Sequence, residues 1–118
     1  MQGAMKSREL KELPRQEALR LLSEVPIGRI VFTRHALPAI RPVNHIVADG
    51  DIVIRTNLGT AISSEVAPYG AVVAFEADSI DPEEHLGWSV IVTGVARLVD
   101  DPEEAARFRD RLRPWVSG

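Results

Sequence analysis

Apolar and polar positions recur along this chain with two different periods, and each change of period marks an element. Between Leu13 and Val25, the residues Ala18, Leu21, Leu22 and Val25 fall at helical spacing, which predicts an amphipathic helix with one buried stripe. Pro14 suits its first turn, where a missing N–H is no loss, and Pro26 and Gly28 stop it. Ile30-Val31-Phe32-Thr33 is a β-branched and aromatic run and predicts a strand. Ala39 to Val47 and Asp51 to Thr56 predict the arms of a hairpin around Asp49-Gly50, a strong two-residue turn signal. Pro42 lies inside the first arm. Proline cannot donate to a ladder, so that arm is expected to be an edge or to bulge there.

Beyond the hairpin, Asn57-Leu58-Gly59 reads as a loop and Thr60 to Ala67 as a short helix with Thr60 as its N-cap. Ala71 to Glu76 is almost continuously apolar and predicts a central strand. Asp78 to Gly87 reads as an acidic loop and Trp88 to Val99 as the longest strand, with Gly94 marking a bulge or a close neighbour. Asp101-Pro102-Glu103-Glu104 is a helix start: a capping carboxylate, proline at the first position, and acids facing the positive end of the helix dipole. That helix is predicted to about Leu112, before Pro114-Trp115. Residues 1–12 are polar and expected to be flexible, with a single domain over 13–118. No strand–helix–strand alternation appears. The order predicts a mainly β, antiparallel barrel with flanking helices, not a doubly wound parallel sheet.

Composition removes whole classes of chemistry. The 118 residues suffice for one core without staples. There is no cysteine, hence no disulfide, thiolate nucleophile or Cys-based metal site. The only lysines, Lys6 and Lys11, lie at the N-terminus, which leaves no lysine in the body for a Schiff base or a phosphate loop. A net charge of -3 without a basic cluster argues against nucleic acid. No apolar run approaches the ~20 residues a membrane span needs, and no secretory signal is visible, so a cytoplasmic location is expected. His35, His45 and His85 share no metal-ligand spacing. The acids Asp78, Asp81, Glu83 and Glu84 lack the alternating ligand pattern of a calcium loop and read as a solvated cluster. No metal site is expected.

Two stretches carry the chemistry that remains. They are Arg41-Pro42-Val43-Asn44 and Arg55-Thr56-Asn57-Leu58-Gly59-Thr60, which the hairpin sets side by side. An arginine, hydroxyl and amide donors, a glycine that admits a ligand to the backbone, and a helix start make an anion site. Arg41, across the hairpin, offers a second cation. The same residues also read as a strand end, a turn and a cap.

The chain resembles the pyridoxamine 5'-phosphate oxidase-like, FMN-binding split-barrel family, in its small uncharacterised and nitroimidazole-reductase-like branch. The resemblance covers about residues 13 to 116. It rests on Gly28-Arg29-Ile30-Val31-Phe32, on Leu37-Pro38-Ala39-Ile40-Arg41-Pro42-Val43-Asn44, on Val53-Ile54-Arg55-Thr56 with Gly59, on Val73-Ala74-Phe75-Glu76, and on Gly87-Trp88-Ser89-Val90 running into Val92-Thr93-Gly94. It implies a six-stranded split β-barrel and a homodimer with FMN in clefts at the subunit interface. Arg41, Pro42, Val43 and Asn44 would then run beside the isoalloxazine ring. Arg55 and Thr56, with Asn57, Gly59 and Thr60, would hold the phosphate, and Trp88 and Ser89 would wall the site. Such proteins commonly carry a lysine just after the Gly59-Thr60 position, where this chain has Ala61. They also carry a further strand beyond the Pro114-Trp115 region, where this chain ends at Gly118. The barrel is therefore expected to lack its last strand or to be completed in another way.

The function implied is an FMN-dependent oxidoreductase acting on a small molecule, with electrons from a transiently bound nicotinamide cofactor. No catalytic acid or base is assigned. The alternative is a non-catalytic split barrel that binds a flavin, a deazaflavin or haem. A third reading, motivated by Ala61 and the short C-terminus, is a cofactor-free dimer.

Overall fold

The computed structural model describes residues 12–55 and 70–112. The predicted helix over Thr60 to Ala67, residues 1–11 of the N-terminal segment expected to be flexible, and Pro114-Trp115 lie outside the described residues. Seven elements follow one another: α1 (Arg15–Ser23), β1 (Ile27–Arg34), β2 (Leu37–Ala48), β3 (Asp51–Arg55), β4 (Ala71–Asp81), β5 (Leu86–Ala96) and α2 (Pro102–Arg111). The strands form one antiparallel sheet in the order β3-β2-β1-β4-β5. Ala71 to Glu76 thus lies in an interior strand, while the centre of the sheet is β1.

Both tight hairpins turn through left-handed backbone. Asp49 and Gly50 have φ of 51° and 82°, the geometry that matches the twist of the flanking strands. The β1–β2 hairpin does the same with His35 and Ala36, at φ of 52° and 62°. A left-handed alanine costs about 1–2 kcal/mol, and without glycine or asparagine this turn leaves no sequence signal. Its strands pair without interruption from Arg34↔Leu37 to Ile27↔Asn44.

Pro42 pairs with Arg29 in unbroken register, so β2 does not bulge there. The β2–β3 ladder runs only from Ala48↔Asp51 to Asn44↔Arg55, so on that side Pro42 has no strand partner among the described residues, the edge that its missing N–H led one to expect. Three other sequence expectations are corrected. The acidic loop shrinks to a four-residue turn, because β4 continues to Asp81 and β5 begins at Leu86. Glu76 and Asp78 fit a strand because Arg29, on β1, pairs with both. Its Nε lies 2.6 Å from Glu76 Oε1 and its Nη2 3.3 Å from Asp78 Oδ2. Asp81 shapes the turn by accepting the backbone N–H groups of Glu83 and Glu84 at 2.9 and 3.2 Å. Gly94 pairs with Val73 without a bulge, and a Cβ there would meet open space. The longest strand is β2, with 12 residues.

One face of the sheet holds the core. Ile30, Phe32, Val43, Phe75, Ala77 and Val90 are buried together with Leu22 of α1, which is completely covered. The sheet curls far enough that the β2–β3 turn at Gly50 and the β5 residues Val90 to Thr93 line one cavity of about 300 Å³. Ala18, Leu19 and Leu22 of α1 lie along the same cavity and fill the gap between the two edges. The opposite face is apolar yet exposed. Ile40 is 56% exposed, Val72 77%, Ile91 70% and Val95 54%. The Arg29–Glu76–Asp78 cluster interrupts it with charge. Helix α2 starts as predicted, with Asp101 Oδ1 accepting the Glu103 N–H at 3.2 Å and Pro102 in its first turn. It buries little: Phe108 is half-buried, and the buried anchor is Leu112 just past its end.

Gly28 is where the core is tightest. A Cβ there would run into the Phe75 ring and the Glu76 carbonyl oxygen. Replacing Gly28 with Ala should destabilise the fold by ~1–3 kcal/mol, read as a lower urea midpoint with an unchanged slope.

Candidate functional site

The site begins where β3 ends. Antiparallel pairing sets Arg55 directly across from Asn44. The amide of Asn44 is buried at 5% exposure, and the following His45 at 4%. Beside them the C-terminal turn of α1, the C-terminal part of β2 and the end of α2 surround a cleft of about 310 Å³. Asn44, His45, Glu24, Arg111 and Leu112 are among its walls. The Arg55 guanidinium reaches into this corner and donates from Nη1 to the Leu112 carbonyl oxygen at 3.4 Å.

His45 ties the floor of the cleft to α1. Its Nε2 lies 2.8 Å from the Leu22 carbonyl oxygen, and a carbonyl only accepts, so Nε2 carries the proton. Its backbone N–H donates to the Pro26 carbonyl oxygen at 3.0 Å. The ring also stands edge-on to Phe75 at 4.8 Å and 64°. Nδ1 is buried without a hydrogen-bond partner, so a second proton there would have no acceptor. Burial accordingly pushes the imidazole below its usual pKa.

The predicted site residues do not all meet. Arg55 and Asn44 are neighbours. Arg41 lies three residues from Asn44, on the other side of the strand, exposed, with its Nη1 donating to the Ile40 carbonyl oxygen at 2.8 Å. It is therefore not brought beside Arg55. Val43 points into the core, and Pro42 lies on the exposed face in register with Arg29. Trp88 packs against the core, and Ser89 is exposed across from Asp78 on β4. Both are on β5, at the opposite edge of the sheet from β3, roughly 19 Å from Arg55 along the sheet at about 4.8 Å per strand. Thr56, Asn57, Gly59 and Thr60 lie outside the described residues. Sequence reasoning missed Arg111 and Glu24, which reach the cleft from helices about ninety residues apart in the chain. No sequence spacing could have joined them. Among the described residues no cluster of His, Asp and Glu could hold a metal ion, and no helix is long and apolar enough to cross a membrane.

A family model for pyridoxamine 5'-phosphate oxidase matches residues 14–118. The chain belongs to this family. An uncharacterised protein of Mycobacterium tuberculosis is 55% identical over 114 residues, covering 94% of this chain and 75% of the relative. Among solved structures, the FAD-binding protein of Mycobacterium smegmatis is 40% identical, with a TM-score of 0.68 over 86% of this chain and 84% of that one. A candidate pyridoxamine 5'-phosphate oxidase of Corynebacterium glutamicum is 35% identical, with a TM-score of 0.73 over 93% of this chain and 83% of that one. The fold is thus the split barrel of the pyridoxamine 5'-phosphate oxidase family. Five of its strands lie among the described residues.

The state of His45 gives the site a pH signature. The unfolded chain takes up a proton at this histidine as the pH falls past about 6.5, while the folded chain resists. The stability it contributes is complete above that pH and is lost as the pH falls below it towards the lowered folded-state pKa. Urea unfolding at pH 7.5 and 5.5 should show this slope, at most about 1.4 kcal/mol per pH unit. The slope should flatten in His45→Phe.

Proposed function

We propose that this protein is a flavin-dependent oxidoreductase, using FMN, that acts on a small molecule as a homodimer. The observation that carries the reading is the cleft itself: Asn44 and Arg111 line a cavity of about 310 Å³, and Arg55, across from Asn44, donates its guanidinium to the Leu112 carbonyl at its edge. That set suits a phosphate, since two-pronged arginine contacts are among the strongest bonds to phosphate oxygens. The volume lies at the low end of the ~300–1,000 Å³ of small-molecule sites, which is enough for the phosphate end of a flavin and leaves the ring to lie elsewhere. Membership of the family and a flavin-binding neighbour support the same cofactor class.

In this reading Arg55 and Asn44 bind the phosphate, together with Thr56, Asn57, Gly59 and Thr60. The β2 stretch from Arg41 to Asn44 would run beside the ring. A bound flavin would supply the hydride or one-electron chemistry, and the protein would orient it and keep water away. Trp88 and Ser89, at the far edge of the same sheet, would wall the partner's site.

The exposed apolar face supports the dimer. Ile40, Val72, Ile91 and Val95 stand exposed on one face of the sheet, and exposed apolar patches mark interaction surfaces. A second copy of the chain would cover it. The neighbour from Mycobacterium smegmatis is named for binding and not for a reaction, which favours a flavin carrier as the second reading. A yellow protein that turns over with added NADH supports the oxidoreductase, and a yellow protein without turnover supports the carrier.

Arg55→Ala should weaken FMN binding by roughly two to three orders of magnitude and leave riboflavin, which has no phosphate, unchanged, as followed by quenching of flavin fluorescence. Arg55→Lys should recover only part of the loss, because an ammonium lacks the planar fork. Independently, Ile91→Lys should convert a dimer into a species near the 13.0 kDa chain mass in sedimentation. A wild-type monomer at micromolar concentration would end the dimer reading.

A further inference from the structure

Arg111 belongs to the same cleft, and its place there has a use that helix chemistry alone does not explain. It ends α2, and the next carbonyl, that of Leu112, accepts the Arg55 guanidinium at 3.4 Å. Arg111 thus lines the cleft, and the Arg55 guanidinium is tied to the backbone of the very next residue. No carboxylate among the described residues lies within ion-pair distance of either. Glu24 also lines the cleft, but Arg20 holds it at 2.8 Å. The contact between Arg55 and Leu112 is long and its acceptor is neutral, so it keeps Arg55 in place without saturating it. A cleft lined by one arginine, with a second held at its rim and neither paired with a carboxylate among the described residues, suits an anion.

We infer that Arg111 is the second cation of the anion site, so that the ligand's phosphate is gripped between the end of β3 and the end of α2. The inference rests on the proposed phosphate site at Arg55 and deepens it. It puts α2 in the binding machinery, although the helix contributes almost nothing to the core. It also places the second cation on the last helix and not at Arg41, which lies on the other side of β2. The ligand class is a phosphate monoester or a pyrophosphate, the two anionic groups of flavin nucleotides.

The same last turn contains an internal control. Arg109 and Arg111 both sit where a positive charge offsets the negative end of the helix dipole, but only Arg111 lines the cleft. FMN and riboflavin titrations should be run on wild type, Arg111→Ala, Arg111→Gln, Arg109→Ala and Arg55→Ala, with melting midpoints recorded for each. Arg111→Ala and Arg111→Gln should each weaken FMN roughly ten- to a hundredfold and leave riboflavin unchanged, while Arg109→Ala leaves both unchanged. Equal small effects of Arg109→Ala and Arg111→Ala would reduce Arg111 to a helix-dipole partner and overturn the inference. So would a loss confined to Arg55→Ala, with the phosphate reading intact. Wild type that binds FMN no better than riboflavin, or binds neither, would overturn the phosphate site and this inference with it.

Discussion

The structure turns on the Phe75 ring. It lies where a side chain at residue 28 would stand and meets the edge of the His45 imidazole at 4.8 Å. His45 in turn donates to the Leu22 carbonyl oxygen in the last turn of α1. One aromatic ring thus sets how β1 approaches β4, how β2 lies beside them, and where α1 ends. This is a packing constraint. The interior is close-packed, so a ring that fills the space over a glycine leaves its neighbours one arrangement. The floor of the cleft inherits that arrangement, because Asn44 and His45 are consecutive on β2.

The two faces of the sheet have different fates. The inner face is finished within the chain: α1 closes it through Leu22, and the curl of the sheet brings the Gly50 turn and β5 to the same cavity. The outer face is not finished. Valines and isoleucines stand open to solvent around the Arg29–Glu76–Asp78 cluster, whose charges satisfy one another and so tolerate being covered. The proposed cofactor site has the same incompleteness. Its phosphate-binding end is built at one edge of the sheet and its proposed wall at the other, as expected of a site completed by a second copy.

Helix α2 is held to the fold by very little core contact. No residue within it is buried, and it is held by a capped start and by Leu112 just beyond its end. Elements with so little burial belong to the low-stability part of a protein. An arginine offered from such an element can adjust to its ligand, whereas Asn44, fixed between paired strands, cannot.

The chain's local patterns determined most of the elements. Helical spacing placed α1, the Asp49-Gly50 dipeptide placed the second hairpin, and Asp101-Pro102 placed the start of α2, because each depends on residues within a few positions of one another. The motif around Arg55 also singled out the strand end that borders the cleft. Where local signals misled, a distant partner was the cause. Arg29 let the acidic stretch through Asp78 stay in a strand. The His35-Ala36 turn was hidden because the ladder on either side of it bears the cost of its left-handed backbone. Arg111 and Glu24 could be found only in three dimensions, since the cleft is made where both helices reach β2. Sequence periodicity reports which face of an element is buried. Which elements then share a corner is decided by strand order and by the curl of the sheet, and those follow from packing across the whole chain.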